Sequence, residues 1–296
     1  MILRFILIFT ALFSSSAGWA EQQSCTAVNV PQRALGPVRN QGVSGLCFAY
    51  AAADLASWAS GMRVSAIDLA LYEFKNSKLR RFRDVYKNGG DTVIAVNAAA
   101  EQGFCLEADS PSDEPYVDFS SDPHTPIFDA FGVLESAPWS THKAFLAARK
   151  IFPQITSEDF SSAARFHYIK SRILALQNAN CRVRVAAPQL RMQSISNQYP
   201  EDFVALIDAE LDLKKIVGIG FNSNAIYREQ DVEDGHAVAI VGRRWNEQNQ
   251  ACEYLIRDTF GDQCDEYKEH LECKHGTIWV SDQLLRNTVY EVMVLR

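Results

Sequence analysis

The chain has 296 residues, 47% of them hydrophobic and 22% charged, an ordinary globular balance with enough apolar mass to bury a sizeable core. Its formal net charge of −7 and pI near 5.4 exclude a protein whose main work is holding nucleic acid, because phosphate neutralisation needs clustered Lys and Arg. The short basic run from Lys78 to Arg83 is the one candidate patch, and it reads as a solvated helix face.

Residues 1–20 carry Arg4, an apolar run from Phe5 to Phe13 and small residues ending at Ala20, the pattern of a cleaved signal peptide. The apolar run is too short to span a hydrocarbon core of about 30 Å, and no later stretch is long enough. The expectation is an exported protein, periplasmic or extracellular, with no membrane attachment after cleavage.

Seven cysteines in an exported chain leave one thiol unpaired if the others form disulfides, and Cys47 is the candidate for the odd one. No Cys-x-x-Cys pair is present, so no metal site is expected. Spacing cannot choose among the pairings of the other six. The polar segment from Asp262 to His275 reads as a protruding hairpin or loop, and a local Cys264–Cys273 bridge is expected to limit its motion.

A short lead over residues 21–35 reaches the Gly- and Pro-punctuated loop Gly36 to Gly42. An Ala-rich stretch from Cys47 to Ser60, stopped by Gly61, predicts a buried helix. A second helix is predicted from Ser65, a third over Thr92 to Gln102, and Asn88-Gly-Gly90 interrupts the pattern between them. Residues from Ser110 to about Pro126 read as an extended loop. Further helices are predicted over Thr141–Ile151, Ser161–Gln177 and Glu201–Lys215. Five β-rich runs then follow, at Ile216–Phe221, Ala237–Val241, Glu253–Arg257, Thr277–Val280 and Thr288–Leu295. Helices first and strands afterwards predict an α+β protein with a helical half and a β half.

Three clusters carry chemistry. Cys47 sits at a helix start, where unpaired backbone N–H groups favour a thiolate, although a lone cysteine there is more often a core residue. Gln41, six residues upstream, can fold back so that its side-chain amide and the Cys47 N–H face one developing oxyanion. His236 opens an apolar strand after a tight turn, partly exposed and rigidly held, as a proton-shuttling base requires. Asp258, at the end of another strand, can orient the imidazole, and Phe260 can cover their hydrogen bond.

The residues Gln41-Gly42 with Gly45-Leu-Cys-Phe-Ala-Tyr-Ala51, Asn88-Gly-Gly90, Gly235 to Gly242, Ile256 to Gly261 and Gly276-Thr-Ile-Trp279 resemble, in that order, the motifs of papain-like cysteine peptidases. The resemblance implies a papain-like fold with a cleft between the halves. It makes Cys47 the attacking thiolate, His236 its imidazolium partner and Gln41 an oxyanion donor. Gly89 and Gly90 become a strand edge offered to the substrate backbone. No cofactor is implied. The partners implied are a peptide or protein substrate and, as a class, protein inhibitors, with the chain acting as a monomer.

Three departures accompany the resemblance. Asp258 stands where papain has Asn. The papain disulfide between the positions of Ser44 and Lys87 is missing at both ends. The interval from Cys47 to His236 is well beyond the family spacing, which predicts an insertion within about 110–200 of a domain running from 36 to 296. A catalytically silent binding protein on the same fold, and a thiol amidase or acyltransferase acting on cell-wall peptides, are the competing functions.

Overall fold

The computed structural model describes residues 25–78, 81–113, 126–196, 199–228 and 235–296. The expected signal peptide lies outside them.

The first half is helical. Helix α1 (Cys47–Ser60) is buried along nearly its whole length and ends at Gly61, whose φ of 73° is the left-handed cap expected there. Against it pack α2 (Ala66–Asn76) and α4 (Thr92–Gln102), while α3 (Phe82–Asn88) rests on α2. Ser65 caps α2 by accepting the Asp68 N–H at 3.1 Å. Helices α5 (Pro126–Ser136), α6 (His142–Ile151), α7 (Ser157–Ala164) and α8 (Ile169–Asn180) add a second helical layer, α5 resting on α3 and α8 on α2.

The second half is an antiparallel sheet. Strands β1 (Val28–Asn29), β2 (Met192–Ser196), β3 (Val217–Asn222), β4 (Gly235–Asn246), β5 (Ala251–Arg257), β6 (Glu272–Lys274), β7 (Thr277–Ser281) and β8 (Val289–Leu295) run in the order β2-β8-β3-β4-β5-β7-β6, with β1 paired to β4. Helices α9 (Pro200–Asp212) and α10 (Asp282–Thr288) pack on this half. Buried Arg243 of β4 holds α9 through Asp208 at 2.5 Å and Asp212 at 2.7 Å.

The halves meet where α1 crosses β3 and β4. The small residues of α1 permit the approach, and Gly218 admits Leu55: a Cβ at Gly218 would sit 2.8 Å from its Cδ1. Because α1 and β4 both begin at this junction, residues 47 and 236 face one cleft.

Three disulfides join Cys25 to Cys252, Cys105 to Cys181 and Cys264 to Cys273, and Cys47 is free. The local bridge and the odd thiol are those expected.

Several elements depart from expectation. The helix read over Ser161–Gln177 is two helices. The first starts early, at a capping box in which the Thr156 hydroxyl accepts the Asp159 N–H and Asp159 accepts the Thr156 N–H. The second turns so that Lys170 reaches the Ser77 carbonyl at 2.9 Å. Helix α5 begins where the extended loop was expected to give way, and α3 and α10 are additional. The basic run is not one helix face: Lys78 and Arg81 precede α3, Phe82 is buried, Arg83 lies on α3, and residues 79–80 lie outside the described residues.

Candidate active site

Helix α1 starts at Cys47 with no side-chain cap, since Leu46 occupies the capping position. The thiol therefore meets uncapped backbone donors. Burial, the largest influence on Cys47, pushes its pKa up. The hydrogen bond and positive charge of His236, with the N–H groups of Ala237 and Phe48, outweigh it and bring the thiol below its ordinary value.

His236 is buried at the start of β4, with Phe221 as its cross-strand partner on β3. Its Nε2 meets Asp258 Oδ1 at 2.8 Å, which leaves Nδ1 for Cys47. Burial pulls the imidazole down most strongly, but the charge and hydrogen bond of Asp258, followed by those of Cys47, raise it to about 10. The two shifts, the thiol lowered by His236 and the imidazole raised first by Asp258 and then by Cys47, both favour the charged forms of the pair. Phe260 stacks beside the imidazole with ring centroids 5.6 Å apart and planes 3° apart.

Asp258 follows β5 and is 1% exposed. Burial pushes its carboxyl up, yet His236 and two phenols, Tyr227 and Tyr267, hold it below the ordinary carboxylate range. It also accepts the Thr259 N–H at 2.7 Å, so it caps its own turn while facing His236.

Gln41 is buried and lines the cleft beside Cys47. Gln41 Nε2 donates one proton to the Ser44 carbonyl, which can only accept and so fixes the flip of the amide, and the Thr259 hydroxyl donates to Oε1. The segment holding Gln41 pairs with the one holding Thr259. Gln41 N–H donates to the Thr259 carbonyl and Gly261 N–H to the Arg39 carbonyl, both at 2.8 Å.

Without a disulfide, the nucleophile loop is braced by backbone contact. Gly45 N–H donates to the Tyr86 carbonyl at 2.7 Å, and a Cβ at Gly45 would come within 2.8 Å of the Lys87 carbonyl oxygen. Gly89 has φ of 77°, the left-handed region that favours glycine. A Cβ at Gly90 would press on the Phe48 ring and the Glu73 Cγ, each at 2.7 Å. Both glycines line the cleft, but as a loop after α3 and not as a strand of the sheet. Packing against Gly45 at Gly89, and against Phe48 and Glu73 at Gly90, by itself requires small residues here.

A buried ionic strut lies behind the cleft. Asp54 of α1 accepts from Arg39 and, at 2.7 Å, from Arg257 Nε, and all three side chains are nearly inaccessible. Arg39 also reaches the Val64 carbonyl at 2.8 Å. The strut joins the nucleophile helix to the residues preceding Gln41 and Asp258. Sequence reasoning missed it, as it missed Tyr227, Tyr267 and Thr259.

The cleft encloses about 580 Å³ and takes walls from both halves: Gln41, Cys47 and Gly89 on one side, His236, Phe260 and Tyr290 on the other. Among the described residues, the one cluster of metal-ligand type is Asp68 with Cys105 and Cys181, whose sulfurs are joined in a disulfide. No helix of the described residues is long and apolar enough to cross a membrane.

No family model and no curated protein matches the sequence. The crystal structure of PepW from Lactobacillus rhamnosis superposes over 95% of this chain and 84% of its own, with a TM-score of 0.53 at 11% identity. That match covers most of both chains, the helical half and the antiparallel sheet included. The fold is papain-like. The proform of Amb a 11, described as a cysteine protease and major ragweed pollen allergen, aligns with 98% of this chain and 74% of its own at 15% identity, with a TM-score of 0.48. At 11% identity the likeness to PepW concerns the fold alone.

Proposed function

We propose that the protein is an exported cysteine peptidase that hydrolyses peptide bonds through a thioester on Cys47, with His236 as acid and base. The observation that carries this reading is that Cys47 and His236 line one cleft of about 580 Å³, with the imidazole Nε2 held by Asp258 at 2.8 Å. A binding protein has no need of a thiol and an imidazole that shift each other's proton affinity in opposite directions. Three disulfides beside one free thiol support export to an oxidising compartment.

The steps follow from the geometry. Thiolate Sγ attacks the peptide carbonyl carbon, and the oxygen takes the electron pair. Gln41 Nε2 carries two protons, one committed to Ser44, so the other faces the oxyanion together with the Cys47 N–H. His236 passes its proton to the leaving amine as the C–N bond breaks, leaving a thioester. Neutral His236 then takes a proton from water, whose oxygen attacks the thioester, and the acid leaves as thiolate and imidazolium are restored. Gly89 and Gly90 let the substrate backbone run close to the cleft wall.

Purified protein incubated with a mixed peptide library should generate new termini, and a library left intact across the pH range would remove the peptidase reading. Gln41→Ala should lower kcat by about 10²–10³ with little change in KM, the scale for loss of one oxyanion donor. A raised KM with kcat unchanged would make Gln41 a binding residue.

Asp258→Asn separates charge from geometry. The amide oxygen can still accept the imidazole N–H, but the negative charge that raises His236 is gone. The imidazolium then loses its proton at lower pH, so the alkaline limb of kcat/KM should move down while much of the peak rate survives. Asp258→Ala should be far more damaging. An Asp258→Ala enzyme with the wild-type profile would show that Cys47 and His236 work without it.

A further inference from the structure

Two phenols converge on the oxygen of Asp258 that His236 does not use. Tyr227 donates to Oδ2 at 2.6 Å and Tyr267 at 2.7 Å, while Oδ1 takes the His236 N–H at 2.8 Å and the Thr259 N–H at 2.7 Å. A carboxylate buried this deeply is costly unless its lone pairs are occupied. Both tyrosines have pKa values well above their ordinary range, so they remain protonated donors.

Neither tyrosine belongs to the elements that carry Cys47, His236 or Asp258. Tyr227 follows the short 3₁₀ turn Ser223–Ala225 after β3. Tyr267 sits between β5 and β6, inside the loop closed by Cys264–Cys273. The two segments zip together: Arg228 N–H donates to the Glu266 carbonyl at 3.0 Å and Lys268 N–H to the Ile226 carbonyl at 2.9 Å. Their rings stack with centroids 5.5 Å apart and planes 25° apart. The disulfide-closed loop is thus an arm that carries one phenol onto Asp258 and is docked by the other.

We infer that Tyr227 and Tyr267 are positioning residues that hold Asp258 ionised and in one orientation behind His236, and that the Cys264–Cys273 bridge serves to keep Tyr267 there. The inference rests on the reading of Cys47 and His236 as the reactive pair. Each phenol stabilises the charged carboxylate, so removing one raises its proton affinity. On acidification Asp258 then takes a proton earlier, His236 loses its charged partner, and the ion pair with Cys47 collapses at higher pH. The other ionisable groups around the pair are Tyr290 and Glu291 from β8, Lys87 and Asp91 on the opposite wall, and Glu266 beside Tyr267. Tyr→Phe substitutions leave all of these in place.

The test is the rate of Cys47 alkylation by iodoacetamide against pH, followed by mass, which reads the thiolate whether or not any peptide is cleaved. Wild type, Tyr227→Phe, Tyr267→Phe, the double Phe variant and Cys264→Ser/Cys273→Ser are compared, with thermal unfolding as a check on folding. The acid limb should move to higher pH by roughly 1 unit per hydroxyl lost. Loss of the bridge should reproduce the shift of Tyr267→Phe, and adding Tyr267→Phe to it should move the limb no further. An acid limb of the double Phe variant that superimposes on wild type would overturn the positioning role. A bridge variant with an unmoved limb would overturn the role of the disulfide. A shifted limb in a protein that cleaves no peptide would support this inference while removing the peptidase reading.

Discussion

Replacing Cys47 with Ala is expected to lower kcat by roughly 10⁵–10⁶, the scale for loss of a nucleophile whose partners act as a unit. The fold should be almost indifferent. Ala is the best helix former, the substitution removes one half-buried sulfur from the first turn of α1, and His236 keeps its hydrogen bond to Asp258. Unfolding of the pure variant should therefore stay within about 1 kcal/mol of wild type. Hydrolysis by that variant at near the wild-type rate would assign the chemistry elsewhere.

Asp54→Ala should have the largest effect on stability. Asp54 is the shared anion of Arg39 and Arg257, and removing it leaves Arg39 with the more distant Glu107 at 3.5 Å and Arg257 with the carbonyls of Leu35 and Pro37, in a dry interior. Breaking a buried pair in this way costs about 3–5 kcal/mol, which for a domain of this size lowers Tm by roughly 10 °C. The rate should fall as well, because Arg39 precedes Asn40-Gln41 and Arg257 precedes Asp258, so both sides of the cleft lose an anchor. Thermal unfolding and kcat measured on Asp54→Ala and Asp54→Asn check this, and a Tm within 2 °C of wild type, about the shift for 1 kcal/mol, would show that the strut bears little.

The parts of the site that were legible in the sequence have local signatures. Cys47 opens an Ala-rich helix stopped by glycine, His236 opens an unbroken apolar strand, and Asp258 ends one. The Cys264–Cys273 bridge was readable because both cysteines bound one short polar segment. What escaped depends on contacts between distant segments. Tyr227 and Tyr267 meet only because Ile226–Arg228 pairs with Glu266–Lys268, and no periodicity in either stretch announces it. Arg39 and Arg257 flank recognisable motifs, but a lone arginine carries no mark of burial until Asp54 is placed between them. The missed strands β2 and β6 are short and largely exposed, so they lack the apolar alternation that reveals a strand. The splitting of one helix into α7 and α8 was hidden because helical residues continue across the break.

The measurement that bears most directly on the central claim is covalent trapping by a peptidyl epoxide, with the modified residue mapped by mass spectrometry and peptide hydrolysis followed in parallel. The account predicts one equivalent of label on Cys47, loss of hydrolysis in step with labelling, and no label on Cys47→Ala or when the pair is neutralised at low pH. Complete modification of Cys47 with hydrolysis undiminished, or a protein that ignores the inactivator while a small alkylator reaches the same thiol, would contradict it.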